Sequence, residues 1–250
     1  MKTAKIRLYV EQPLGQGQTI PLPRDQAHYL FGVMRQGVGD LVLLFNGTGG
    51  EWRARVTAAG KRGGTLVCEA QTAPQRDPPD LWLLFAPIKK ARTDFIVEKA
   101  AEMGAARIIP VQTDFTNSER IRQDRLQAHA VEAAEQCGGT YVPEVTDLQR
   151  LDTLLANWPE DRQLMFCDET RAGHSSPLVG HFDSETAQTG RRAAWAILIG
   201  PEGGFSDAER ARIANLPYTH PVSLGPRILR ADTAAVAALT LWQQALGDWA

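Results

Sequence analysis

Two short loops near the C-terminus combine the residue types needed for a small-molecule site built from main chain. One is Ile199-Gly200-Pro201-Glu202-Gly203-Gly204-Phe205. The other is Ser223-Leu224-Gly225-Pro226-Arg227-Ile228-Leu229-Arg230-Ala231-Asp232-Thr233-Ala234. Each follows a short apolar run, residues 194–199 and 218–224, and each leads into a stretch of helical character. Glycine and proline at strand ends keep bulky side chains away, so N–H and C=O groups can reach a flat heteroaromatic ligand. The first loop lacks both the Lys-Ser/Thr of a phosphate-cradling Walker loop and the spacing GxGxxG. Taken alone, such a loop is usually just a strand-to-helix turn. Ser206-Asp207-Ala208-Glu209 matches the S/T-x-x-E capping box, which makes Ser206 a helix cap rather than a catalytic hydroxyl.

For the two loops to share a crevice, their strands must lie in one sheet. From residue 81 onward, apolar runs at 81–86, 107–111, 164–167, 194–199 and 218–224 alternate with helical stretches. Those stretches are 93–103, 118–136, 148–157, 207–214 and 231–246, the rhythm of a mainly parallel α/β sheet. Ligands of such sheets sit beyond the carboxyl ends of the strands, where both loops fall. Upstream, residues 6–10, 41–45, 51–58 and 65–70 are short strand-like runs. There Val42, Leu44, Trp52, Ala54, Val56, Leu66 and Cys68 alternate as on a half-buried sheet. Residues 24–34 are the one helical candidate, with Ala27, Leu30, Phe31 and Met34 on one face. This upstream part predicts a small β-barrel with one helix. Thr72-Ala73-Pro74-Gln75-Arg76-Asp77-Pro78-Pro79-Asp80, with three prolines, reads as a linker.

The 250 residues, 43% hydrophobic and 22% charged, suit one large globular domain or two modest ones. No apolar run nears the roughly 20 residues of a membrane span. Met1-Lys2-Thr3-Ala4-Lys5-Ile6-Arg7 has no apolar segment after its charges, so export is not expected. Cys68, Cys137 and Cys167 are isolated and form no CxxC pair, which suits a reducing cytoplasm. No His, Cys and carboxylate group has metal-ligand spacing, and no metal is expected. The net charge of −2 conceals an asymmetry, since residues 1–76 carry +5 and the remainder −7. A basic module joined to an acidic one suits local docking of phosphate, and it equally suits a solvated surface.

Further blocks stand in order along the chain. They are His28-Tyr29-Leu30-Phe31-Gly32-Val33-Met34-Arg35 with Gly39-Asp40, then Lys89-Lys90-Ala91-Arg92 running on to Glu98-Lys99-Ala100-Ala101-Glu102-Met103-Gly104, then Glu135-Gln136-Cys137-Gly138. With the two C-terminal loops, the sequence resembles the bacterial 16S ribosomal RNA (uracil-N3)-methyltransferases. These belong to the knotted SPOUT superfamily, which uses S-adenosylmethionine (SAM). The resemblance implies a PUA-like, RNA-binding β-barrel over residues 1–73, a linker over 74–80 and a knotted SPOUT α/β domain over 81–250. It further implies a cytoplasmic homodimer acting on small-subunit ribosomal RNA or the assembled 30S subunit. Two rival functions stay open: another SPOUT reaction such as ribose 2′-O-methylation, and a non-catalytic RNA-binding protein.

By the same resemblance, three strand-end loops would hold SAM. Their residues are Cys167, then Ile199, Gly200, Gly203 and Gly204, then Ser223, Leu224, Gly225, Ile228 and Leu229. Cys167 also reads as a small buried strand-end residue. A sulfonium methyl is already activated, so the protein must mainly align a nucleophile with it. Uracil N3 must lose its proton, or the negative charge growing on the ring carbonyls must be stabilised. Arg230 is the leading residue for that charge, and Glu202 is the nearest carboxylate for the proton. An ion pair of Arg230 with Asp232 or Glu202 is the competing reading. Asp232 and Thr233 read as first-turn helix stabilisers. Arg7, His28, Arg35, Lys89 and Arg92 are the residues nominated for RNA, although a histidine on an apolar helix is commonly a core residue. Lys99 fits RNA contact and helical pairing with Glu98 and Glu102 equally. The chain departs from the family pattern at Asp232, where Glu is usual, at Gly139, where a basic residue is common, and in residues 113–117, which lack an arginine.

Overall fold

The computed structural model describes residues 4–60, 62–117, 120–173 and 193–249. The chain divides into two compact units, residues 1–77 with 134–142, and 78–133 with 143–250. The break at Asp77/Pro78 lies in the proline-rich segment. Residues 134–142 joining the first unit is a division that local sequence patterns did not suggest.

The first unit is a five-stranded mixed sheet in the order β1-β3-β4-β5-β2. Its strands are β1 (Arg7–Tyr9), β2 (Thr19–Leu22), β3 (Leu41–Phe45), β4 (Glu51–Gly60) and β5 (Gly63–Ala73). β1 runs parallel to β3, and the other pairs are antiparallel. The alternation read from the sequence places Val42, Leu44, Ala54, Val56, Leu66 and Cys68 in the core, with Leu8, Val10, Ile20, Ala27 and Leu30. Arg55 and Thr57, between them on β4, are exposed. The expected helix over 24–34 is α1 (Arg24–Ala27) followed by a wider π turn, His28–Val33. Its mark is the bond from Met34 N–H to Tyr29 O, 2.9 Å and five residues back. Phe31 on this turn packs on Gly64, where an added Cβ would overlap the ring.

The second unit is an all-parallel sheet in the order β12-β10-β11-β6-β7-β8, with β9 paired to β7. The strands are β6 (Leu81–Phe85), β7 (Arg107–Gln112), β8 (Glu144–Val145), β9 (Gln149–Arg150), β10 (Arg162–Cys167), β11 (Ala194–Ile199) and β12 (Thr219–Val222). The helices are α2 (Lys90–Glu102), α3 (Gln123–Cys137), α4 (Leu151–Ala156), α5 (Asp207–Ala214) and α6 (Ala231–Leu246), and the last turn of α3 belongs to the first unit. The start expected for α3 at Ser118 lies outside the described residues. Residues 195–199 of β11 are all buried, as befits a parallel strand covered on both faces. Leu84, Ile109, Leu164, Phe166, Leu198 and Phe205 share one core.

Candidate functional site

Strand register sets the site's position. Cys167, the last residue of β10, lies opposite Ile199 of β11 on one side and Val222 of β12 on the other. Three neighbouring strands thus end at one level, and the loops that leave them must meet. Each loop is tied to another. Gly173 N–H donates to Gly225 O at 3.0 Å, and Asp168 N–H donates to Val222 O at 3.3 Å. Gly204 has φ +70, and a Cβ there would overlap Glu169 Oε1. That carboxylate is fixed in turn by Arg210 of α5, whose Nη2 donates to Glu169 Oε1 at 2.6 Å and whose Nε donates to Asp168 Oδ1 at 3.1 Å. The α5 N-terminus carries the capping box read from the sequence, with Glu209 N–H to Ser206 Oγ at 3.2 Å and Ser206 N–H to Glu209 Oε2 at 3.1 Å.

The loops enclose a cavity of about 360 Å³, within the range of small-molecule sites. Cys167, Ile199, Gly200, Gly204, Leu224, Gly225, Ile228 and Leu229 line it, with Asp168, Glu169, Pro201 and the first turn of α6. Gly203 and Ser223 are not among the lining residues. Gly203 faces Phe115, and Ser223 Oγ exchanges 3.3 Å bonds with Gly225. Burial pushes the Cys167 thiol far above its usual range, so it stays neutral and is no nucleophile. The main-chain N–H groups of Leu224, Ile228 and Leu229 have no partner among the described residues. Unsatisfied main-chain donors beside apolar side chains fit a ligand with a flat ring and acceptor atoms.

Arg92, Glu202, Arg227 and Arg230 also line the cavity. Arg92 Nη1 lies 2.7 Å from Glu202 Oε1, and its Nε lies 3.6 Å from Asp232 Oδ2. Arg230 is exposed, and its side chain has no partner among the described residues. The pairing that competed for Arg230 in the sequence is therefore made by Arg92.

The residues nominated for RNA have different surroundings. Arg7 has a side chain only 12% exposed, and its Nε donates to Glu51 Oε2 at 2.7 Å. Its Nη1 donates to Ala134 O at 2.6 Å and Glu135 O at 3.1 Å, and Nη2 to Gly139 O at 2.7 Å. The guanidinium also covers the Phe45 ring at 4.5 Å. It satisfies orphan carbonyls at and just past the end of α3, and with Glu51 these partners take most of its donors. His28 is exposed rather than in the core, and Arg35 is exposed with φ 55. Lys89, before α2, is exposed, and its side chain has no partner among the described residues. Lys99 pairs with Glu102 at 2.7 Å. Nothing local in the chain points to Arg210, because its partners lie 41 and 42 residues upstream. Among the described residues, no three His, Cys, Asp or Glu side chains gather as a metal site, and no helix is long and apolar enough to cross a membrane.

An all-parallel sheet with a loop-built crevice at three strand ends, in one chain with a small mixed β-sheet unit, has the SPOUT and PUA-like architecture of RNA-modifying methyltransferases. A family model described as an RNA methyltransferase domain matches residues 75–243, and one described as an RNA methyltransferase PUA domain matches 22–67. The chain belongs to the ribosomal RNA small subunit methyltransferase E family within the SPOUT superfamily. The member from Rickettsia conorii is 28% identical over 93% of both chains. The one from Synechocystis is 30% identical over 88% of this chain and 71% of its own. Among solved structures, the Neisseria gonorrhoeae methyltransferase E bound to S-adenosylmethionine has 27% identity and a TM-score of 0.86, covering 98% of this chain and 99% of the other. A putative methyltransferase from Legionella pneumophila with bound SAM has 28% identity and a TM-score of 0.83, covering 98% and 100%.

Proposed function

We propose that this protein methylates N3 of one uridine in small-subunit ribosomal RNA, with SAM as methyl donor. The observation that carries this reading is the cavity at the ends of β10, β11 and β12, with Arg230 on its lining, its side chain without a partner among the described residues. The fit to SAM rests on the apolar Ile199, Leu224, Ile228 and Leu229 for a ring, and on the N–H groups of Leu224, Ile228 and Leu229, which have no partner among the described residues, for its acceptors. When bound, SAM supplies an electrophilic methyl group on a sulfonium.

The chain's own residues do the rest. Arg230 donates to a uracil carbonyl oxygen and stabilises the anion left when N3 loses its proton to water. Because Glu202 has a carboxylate oxygen committed to Arg92, we assign it to holding Arg92 rather than to proton transfer. Arg35, His28 and Lys89 remain as side chains for RNA, with Arg35 and Lys89 on the backbone phosphates. Arg7 has no part in RNA contact in this proposal. Pairing with a second copy is supported by exposed apolar Phe95, Ile228 and Leu241, and sedimentation at micromolar concentration tests it.

The reaction is tested by mass spectrometry of nucleosides from small-subunit ribosomal RNA of cells lacking the gene. Loss of 3-methyluridine alone, restored by the wild-type gene, is expected. Arg230→Ala should leave it unrestored, with kcat down about 10²–10³-fold. An unchanged 3-methyluridine level would overturn the assignment.

A further inference from the structure

Two guanidiniums and two carboxylates, those of Arg92, Arg230, Glu202 and Asp232, come from α2, the turn after β11 and the start of α6. Such a set can pair in more than one way, and the choice matters. A guanidinium already bonded to a carboxylate has its donors committed, so a forming anion must compete for them. The structure makes one choice. Arg92 takes Glu202 at 2.7 Å and approaches Asp232 at 3.6 Å, while the Arg230 side chain has no partner among the described residues. Lys89 and Lys90, at the start of the same helix, are exposed and their side chains have no partner among the described residues, so this end of α2 has cations for phosphate without Arg92.

We propose that Arg92 is a positioning residue that engages Glu202 and Asp232 and thereby keeps Arg230 free for the anion formed on the uracil ring. The inference rests on the uracil-N3 reading above. Removing Arg92 releases two carboxylates beside a cavity that Arg230 also lines, and Arg230 then pairs with one of them. Arg92 acts without touching substrate.

The test measures steady-state methylation of 30S subunits by the full-length protein, with a crystal structure of Arg92→Ala as a readout independent of activity. We expect Arg92→Ala to lower kcat about 10- to 100-fold with KM for the subunit unchanged. Neutralising in that variant the carboxylate that Arg230 takes, by Glu202→Gln or Asp232→Asn, should return most of that kcat, and Arg92→Lys should keep more activity than Arg92→Ala. In the crystal, the Arg230 guanidinium of Arg92→Ala should lie within ion-pair distance of Glu202 or Asp232. If Arg92→Ala raises KM, flattens the salt dependence and leaves kcat intact, Arg92 is an RNA contact and the inference is overturned. It is also overturned if neither Glu202→Gln nor Asp232→Asn restores any kcat. Arg230→Ala alone separates the two levels. A kcat unaffected by it sinks the role given to Arg230, whereas a lowered kcat beside a normal Arg92→Ala sinks only the present inference.

Discussion

At the cavity of the second unit, much of what meets a ligand is backbone. Gly200, Gly204 and Gly225 contribute no side chain, and loops from three strands are bonded to one another through Gly173 and Gly225 and through Arg210. On the first unit, the groups offered over residues 28–38 are side chains. His28, Val33, Met34, Arg35 and Val38 are exposed on and after a widened turn. A backbone site is set by φ angles and close approaches, so small substitutions inside it have large effects. A side-chain surface spreads its energy over many weak contacts, so each substitution there does little.

Thiol chemistry gives the largest contrast. Cys137, in the segment that joins the first unit, is exposed, whereas Cys167 at the cavity is buried with its thiol shifted strongly upward. At pH 8 the Cys137 thiol should react with a maleimide on the order of a thousandfold faster. Because the raised value keeps Cys167 almost wholly protonated between pH 7 and 9, its labelling in the folded protein should stay slow across that range even as its small thiolate fraction grows with pH. Mass spectrometry of timed labelling checks both points, and rapid labelling of Cys167 would mean that the cavity is open to its floor.

Arg7→Ala comes next. It strips donors from three carbonyls and leaves Glu51 without its cation, so a loss of about 2–3 kcal/mol in stability is expected from denaturant unfolding. A stability close to wild type with weakened RNA binding would return Arg7 to the RNA surface. Gly204→Ala forces a side chain into a left-handed position against Glu169 and should weaken SAM binding roughly tenfold or more, read by calorimetry. Wild-type affinity in that variant would show that the loop adapts and is not a rigid cradle. Arg35→Ala should have the smallest effect, weakening RNA binding severalfold at every sequence and lowering the salt slope by about one. SAM affinity should stay unchanged there.

The same contrast marks how far the sequence could be read. The bounds of β3, β11, α5 and α6, and the capping box at Ser206, follow from apolar periodicity, capping residues and glycine placement, which are local signals. The loops that build the cavity were visible for the same reason, since glycines at strand ends stand out in a linear chain. What escaped depends on distant residues. Arg92 reaches Glu202 across 110 positions, and Arg7 reaches Gly139 across 132, with nothing in either neighbourhood to announce it. The π turn was read as regular helix because Leu30, Phe31 and Met34 fit a helical face. What the periodicity could not carry is the packing of Phe31 against Gly64, which lies on another strand. Strand β2 is too short, and its Pro21 too untypical of a strand, to be seen without its partner β5.

The level at which β10, β11 and β12 end also bears on how the molecule is made. All-parallel pairing depends on contacts between segments far apart in the chain, which form late because long loops must close first. The cavity needs residues 167, 199 and 222–230 together, so a chain growing from its N-terminus has no cofactor site until synthesis has passed residue 230. Ligand that binds only the finished fold then stabilises that fold over every partly built state, by mass action. Protection by SAM against proteolysis should accordingly appear only in chains that extend past residue 230.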